Sequence, residues 1–181
     1  GFIINESFEQ KNPLALLDIA SRVRKEVENF QLDIYGEGHL KPLLQQRIEE
    51  LDLDNCVRLK GFIDDKTIYR NYDLLWVTST FEGFGLVIIE AASNSVPTVT
   101  TNWGPGVYEV VEDGKTGFIC NTQKEFEHRS AELLKDSKKR DTFSNNARNM
   151  YVNKFSTEAH KQRWVLLIEK YFPKTSNMEL K

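Results

Sequence analysis

The segment that decides the fold runs from residue 73 to residue 93 and reads DLLWVTSTFEGFGLVIIEAAS. It opens with a short apolar run, DLLWVTS (73–79), which is typical of a buried strand. Glycines at 83 and 85 then indicate a turn, and LVIIEAAS (86–93) has the composition of a buried helix. A strand, a glycine-bearing turn and a helix in this order predict part of a βαβ unit.

The same alternation of short apolar runs and helical periods extends along the whole chain. Further strands are predicted at GFII (1–4), LDIYG (32–36), CVRLKGFI (56–63), PTVTT (97–101) and TGFIC (116–120). A helix is predicted after Asn12 as cap and Pro13 as first residue, with an apolar face that extends to Phe30. From about residue 123 to Phe172 the pattern is helical. This order predicts an α/β fold with a Rossmann-like parallel sheet flanked by helices on both faces.

Composition excludes several classes of protein. The net charge of the 181 residues is −3 with both signs interspersed, which argues against nucleic acid as the main partner. No apolar run reaches the ~18–20 residues of a membrane span, and no signal peptide opens the chain. The run GFII resembles a strand already under way, so we expect the chain to be a piece of a longer polypeptide.

The metal-binding and redox residues are sparse. His39, His128 and His160 are scattered without ligand spacing, so no metal site is expected. Cys56 and Cys120 each lie in an apolar, strand-like run, and we expect two buried free thiols in a reducing compartment rather than a disulfide.

Two glutamates in the opening segment, Glu82 and Glu90, are the first candidates for a functional site. Ligands of parallel sheets bind outside the carboxyl ends of the strands, and a helix N-terminus there suits a phosphate. Glu90 would lie about 7–8 Å along the helix at 1.5 Å per residue, close to the reach from a diphosphate to its ribose. The alternative is that Glu82 is a solvated loop residue and Glu90 the exposed face of an amphipathic helix. The apolar residues around Glu90 favour a buried carboxylate, which needs a partner.

Several spaced motifs together resemble one family. They are EGFGLVIIEAAS (82–93), VPTVTTNWGPGVYEVVEDGKTGFI (96–119), QKNPLALLDIA (10–20) and YGEGHLKPLLQQRIEEL (35–51). The chain is similar, from residue 1 to about 172, to the donor-binding half of family-4 retaining glycosyltransferases of the GT-B fold. That family carries two glutamates separated by seven residues, with a glycine pair after the first, as at Glu82 and Glu90.

The resemblance implies a role for each matching residue. Glu90 would hold the ribose hydroxyls, and Glu82, the catalytic residue, would lie against the donor sugar. The amides of Gly85 and Leu86 would meet the diphosphate together with the ammonium of Lys11.

The remaining donor-binding residues implied by the resemblance lie on neighbouring loops. Gly83 and Phe84 belong to the glycine-bearing turn itself. The backbone around Phe62 and Ile63 would read the base, and Glu37 would line the same crevice.

The family transfers a sugar from a nucleotide-sugar, such as a UDP- or GDP-sugar, to an acceptor hydroxyl with retention and without metal or other cofactor. The expected acceptor is a glycan or a lipid-linked glycan, and the expected location is the cytoplasm, with peripheral contact at the inner membrane face left open. Residues 1–172 would form the donor-binding domain and 173–181 a polar tail. The N-terminal acceptor domain would be absent from this chain, so the isolated domain is expected to be inactive.

Two alternatives remain open. The family usually has an arginine early in the loop that carries the lysine, whereas here no arginine precedes Arg22. This departure favours a non-catalytic or degenerate nucleotide-sugar-binding module that acts with a partner. GEGHLK (36–41) also resembles a dinucleotide-binding loop of an oxidoreductase, but Lys41 stands where the third glycine should be.

Overall fold

The computed structural model describes residues 2–4 and 8–172, with side chains from residue 10 onward. The strands within these ranges are β1 (Phe2–Ile4), β2 (Leu32–Gly36), β3 (Val57–Gly61), β4 (Leu75–Val77), β5 (Thr98–Thr101) and β6 (Gly117–Cys120). The helices are α1 (Phe8–Lys11), α2 (Pro13–Val23), α3 (Lys41–Glu50), α4 (Leu86–Ser93), α5 (Val107–Val110), α6 (Gln123–Lys135), α7 (Ser137–Met150) and α8 (Thr157–Tyr171). A 3₁₀ helix at Lys66–Asn71 and a π-helical turn at Tyr151–Phe155 complete the set. Gly1 and the predicted polar tail at 173–181 lie outside the described residues.

The strands form two parallel halves that lie side by side. β2 pairs with β1 and β3, and β5 pairs with β4 and β6, in both cases in parallel. β1 lies next to β4, so the chain order reverses direction between these two strands. Such a switch point opens a crevice at the carboxyl ends of the two strands, where ligands of doubly wound sheets bind.

Alternation along β4 shows how both faces of the sheet are covered. Trp76 lies on one face, with its ring centroid 5.6 Å from those of Phe30 and Phe126. Leu75 and Val77 point to the opposite face, into a second cluster formed with α4, α5 and the 3₁₀ helix. Because successive side chains of a strand alternate between faces, an all-apolar strand requires apolar layers on both sides. The predicted Rossmann-like sheet with helices on both faces is therefore confirmed.

The first long helix is shorter than its apolar pattern predicted. α2 ends at Val23, and the chain reaches Phe30 through turns that include Asn29 at φ 56°. Phe30 is still buried, because the turns return it to the core beside Trp76. Asn12 does occupy the N-cap position, but its φ is 46° and its side chain makes no capping hydrogen bond.

The helical pattern after residue 123 is divided into three helices. Asp136 accepts a hydrogen bond from the amide of Lys139 at 3.0 Å and so caps α7, while the π-helical turn separates α7 from α8. Within the described part of α8 only Ala159 is buried, and Trp164 and Ile168 are 62% and 52% exposed. The apolar face of α8 therefore does not pack on this domain.

The two cysteines lie in the interior of the domain. Cys56 and Cys120 are both buried and neither is in a disulfide, as predicted. Burial raises the pKa of the Cys120 thiol to about 12. Within 8–172, no helix has the length and apolar character needed to cross a bilayer.

Candidate functional site

The loops after β1 and β4 are tied together at the switch point. The Thr78 hydroxyl, directly after β4, donates to the carbonyl oxygens of Lys11 and Asn12 at 2.9 and 3.1 Å. The amide of Thr80 donates to the carbonyl oxygen of Gln10 at 2.7 Å. These bonds hold the segment that carries Lys11 against the carboxyl end of β4.

Lys11 and Glu82 meet as a result. The Lys11 Nζ atom lies 2.5 Å from Glu82 Oε1, and the two side chains are only 12% and 8% exposed. The Ser79 hydroxyl donates to the same carboxylate oxygen at 2.6 Å. Glu82 is thus a largely buried, paired carboxylate, and the alternative of a solvated loop residue is wrong for this position.

The N-terminus of α4 lies immediately beyond this pair. Its N-cap is Gly85 in the left-handed region at φ 75°, with no side-chain cap and no acidic residue in the first turn. The indole of Trp103 closes the space beneath, since a Cβ on Gly85 would lie 3.2 Å from Trp103 Cζ2. The helix start therefore keeps its unpaired N–H groups and its partial positive charge, which together suit an anion.

Glu90 lies one turn into α4 and has two partners. The Tyr69 hydroxyl donates to Glu90 Oε2 at 3.0 Å, and the Lys66 ammonium lies 3.0 Å from Oε1. Both partners come from the 3₁₀ helix that follows β3. The carboxylate is about one-quarter exposed, so it is neither free in solvent nor fully enclosed. The helix around it is less buried than its sequence suggested, because Leu86 is exposed.

The other predicted residues surround the same edge of the sheet. Phe62 is exposed and Ile63 half-buried just after β3, and Glu37 Oε1 lies 3.7 Å from the point where a Cβ on Gly61 would stand. Phe84 is exposed, with its ring 6.3 Å from that of Phe155 in an edge-on arrangement. Gly83, beside it, is also exposed.

Sequence reasoning missed several residues of this site. Tyr69 and Lys66 hold Glu90, Ser79 holds Glu82, and Trp103 supports Gly85. One signal was available: Lys66, Tyr69 and Trp103 follow the carboxyl end of a predicted strand and Ser79 ends one, where the ligand crevice was expected.

A metal centre would need several ligating side chains close together. Within the part of the chain that the structure describes, no three His, Cys, Asp or Glu side chains cluster in a way that could hold a metal ion. Positive charge at this edge of the sheet is provided by the Lys11 and Lys66 ammonium groups and by the N-terminus of α4.

Comparison with known proteins gives a family and a fold. The family model for glycosyl transferases group 1 matches residues 2–150. A Bacillus subtilis poly(glycerol-phosphate) alpha-glucosyltransferase is 32% identical over 172 residues, which cover 92% of this chain and 25% of that protein. This chain thus spans only a quarter of the length of that curated relative.

Two solved structures have the same architecture. An S. aureus TarM variant in complex with fondaparinux, alpha-GlcNAc-glycerol and UDP matches at a TM-score of 0.82 and 27% identity, covering 92% of this chain and 35% of that one. The C-terminal domain of a glycosyl transferase group 1 family protein from Francisella tularensis matches at 0.76 and 23%, covering 86% and 85%. The predicted C-terminal half of a GT-B fold is therefore confirmed. With the family model covering most of its length, this chain belongs to the glycosyl transferases group 1 family.

Proposed function

We propose that residues 1–172 form the donor-binding domain of a retaining, metal-independent glycosyltransferase that moves a sugar from a nucleotide-sugar to a glycan or lipid-linked acceptor hydroxyl. The observation that carries this proposal is the uncapped N-terminus of α4, with the Lys11–Glu82 pair before it and Glu90 one turn inside it. A diphosphate bound to the α4 amides would have the Lys11–Glu82 pair at one end and the Lys66–Glu90 pair at the other.

The geometry gives each group a chemical task. Departure of a nucleoside diphosphate needs fixed positive potential, and the α4 N-terminus and Lys11 supply it without a metal. Lys11 would be shared between Glu82 and a phosphate oxygen. Ser79 holds Glu82 Oε1, which leaves Oε2 to accept a hydroxyl of the donor sugar. Glu90 would accept both hydroxyls of the ribose.

UDP is the nucleotide that we propose for this site. It is the nucleotide bound in the TarM complex, whose chain aligns with 92% of this one. We assign the base to the backbone at Phe62 and Ile63, because these residues connect β3 to the 3₁₀ helix that carries both partners of Glu90.

Calorimetric titration with UDP, GDP and ADP tests the proposal. We expect the wild-type chain to bind UDP, and Glu90→Ala to weaken UDP binding by at least about tenfold, since two hydrogen bonds to a charged group are lost. The matched control is Glu49→Ala, which removes an exposed carboxylate near the far end of α3 and should leave UDP affinity unchanged. Equal losses in the two variants would contradict the assignment of Glu90.

One observation favours the second candidate, a degenerate module that lends its fold to a partner. The first arginine of the chain, Arg22, lies near the end of α2 and pairs with Glu127 on α6 at 3.4 Å, so it does not supply the missing cation at the crevice. Failure of the wild-type chain to bind any of the three nucleoside diphosphates would support the degenerate module over the donor-binding domain.

We further propose that α8 docks on a second domain of the complete enzyme, the one that binds the acceptor. The helix exposes an apolar row, Trp164, Leu167, Ile168 and Tyr171, which this domain does not cover. Leu167→Glu and Ile168→Glu are therefore expected to change the free energy of unfolding of this chain by no more than about 0.5 kcal/mol. Urea denaturation measures this, with Ala159→Glu, at the buried position of α8, as the destabilising control. A loss from Ile168→Glu as large as that from the control would show that α8 packs here.

A further inference from the structure

The two partners of Glu90 are held very differently. Tyr69 is 3% exposed and belongs to the apolar cluster that also contains Leu75 and Ile88. The Lys66 side chain is 59% exposed. A buried ring fixes the position of its hydroxyl. An exposed ammonium on a flexible side chain is readily replaced by water as the partner of a carboxylate. Tyr69 is thus the permanent partner of the carboxylate.

The backbone around Tyr69 is fixed to α4 by a third side chain. The Asn94 amide group donates to the carbonyl oxygens of Lys66 and Glu90, at 3.0 and 2.9 Å. Its own oxygen accepts from Arg70 Nε at 3.0 Å. The 3₁₀ helix that carries Tyr69 and the turn of α4 that carries Glu90 are therefore joined directly, so the 3.0 Å bond between their side chains has a rigid base on both sides.

The chemistry of the Tyr69 hydroxyl suits a permanent donor. Burial and the neighbouring Glu90 charge raise the Tyr69 pKa far above its ordinary value, so the phenol keeps its proton at neutral pH. A carboxylate oxygen has two lone pairs, and the Tyr69 bond occupies one of those on Oε2. The Lys66 ammonium lies 3.0 Å from Oε1 and takes one of its lone pairs. One lone pair on each oxygen therefore remains for an incoming hydroxyl donor.

We propose that Tyr69 is a positioning residue, whose hydroxyl orients the Glu90 carboxylate so that its two oxygens accept the vicinal hydroxyls of a ribose. This inference rests on the proposed function of the site. It assigns to the 3₁₀ helix after β3 a part in recognising the sugar of the nucleotide. Tyr69 does not touch the ligand; it acts through Glu90.

Tyr69→Phe tests the proposal, because it removes the hydroxyl and keeps the buried ring. Calorimetry would compare UDP with its 2′,3′-dideoxy analogue in the wild-type chain and the variant. We expect the variant to bind UDP about tenfold more weakly, as for a lost bond to a charged group, and to bind the dideoxy analogue within about twofold of the wild type. Thermal unfolding would establish that the variant is folded.

Tyr72→Phe is the matched control. Its hydroxyl also donates to a carboxylate, Asp33, at 2.7 Å, but near the amino ends of β2 and β4, away from the crevice. This variant should leave both affinities unchanged. Equal weakening of UDP and of its analogue in Tyr69→Phe would overturn the positioning role while leaving the donor site intact. If the wild-type chain binds no nucleoside diphosphate, the proposed function fails and this inference fails with it.

Discussion

Replacement of Lys11 by methionine is expected to lower the affinity for UDP by about 100-fold, since a charge-assisted contact to a phosphate contributes up to about 3 kcal/mol. The same change should destabilise the chain by about 3 kcal/mol, because removal of one partner leaves a buried charge uncompensated. Glu82 is 8% exposed, and the Ser79 hydroxyl alone cannot replace the ammonium at 2.5 Å. Calorimetry and urea denaturation of the same protein measure the two effects.

A second substitution separates the two effects of Lys11. In Lys11→Met/Glu82→Gln the buried charge is gone, so most of the lost stability should return while UDP affinity stays low. Lys135→Met is the control for loss of an ion pair as such, since Lys135 and Glu26 form an exposed pair at 2.9 Å. That variant should change stability by no more than about 1 kcal/mol. UDP binding by Lys11→Met at wild-type affinity would exclude Lys11 as the phosphate cation.

The sequence predicted the helix of the central segment with accurate bounds, whereas the strand before it, predicted at 73–79, spans Leu75–Val77. LVIIEAAS was predicted as a helix over 86–93, and α4 spans Leu86–Ser93. The reason is local: the glycines at 83 and 85 interrupt the strand, and Asn94 and Ser95 end the apolar run. The strands were predicted within two residues at each end because their apolar runs are short and bounded by polar or glycine residues.

Positions controlled by distant contacts could not be predicted in the same way. Asparagine is a residue type that commonly caps a helix with its side chain. Here, however, the carbonyl oxygens of Asn12 and Lys11 accept a hydrogen bond from Thr78, which is 66 and 67 residues away in the sequence. The helical periodicity continues to Phe30, although the chain turns at Asn29, because periodicity records which residues are buried and not how the backbone reaches them.

The residues of the candidate site show the same difference between local and distant determinants. Glu82, Glu90 and Lys11 were found from residue type, spacing and resemblance, and the structure brings Lys11 and Glu82 together. The partners of Glu90 were not found. Tyr69 is 21 residues away in the sequence, and it lies beside Glu90 only because the chain is folded. The roles of Lys11, Glu82 and Glu90 in binding a nucleotide remain predictions, and calorimetric titration with UDP tests those of Lys11 and Glu90.

Replacement of Gly117 by alanine is expected to be among the most destabilising single substitutions in the chain. Gly117 pairs with Thr98 where β6 joins β5, and an added Cβ would stand 2.2 Å from the Thr98 carbonyl oxygen. That oxygen belongs to the backbone of a central strand, so relief requires β5 and β6 to separate. We expect a loss of at least about 3 kcal/mol in the free energy of unfolding, measured by urea denaturation. Gly38→Ala is the control, since nothing lies within 4 Å of its Cβ position.

The same substitution should reach the functional site through β5. Thr101, the last residue of this strand, donates its hydroxyl to the carbonyl oxygen of Ser79, whose side chain in turn holds Glu82. A displaced β5 therefore moves the residue that orients Glu82. Calorimetric titration with UDP, at urea concentrations below the unfolding midpoint of each variant, measures this effect. We expect folded Gly117→Ala to bind UDP more weakly than Gly38→Ala does. Wild-type stability in Gly117→Ala would mean that β5 and β6 are not paired at Thr98 and Gly117, and the link from sheet register to Glu82 would fail with it.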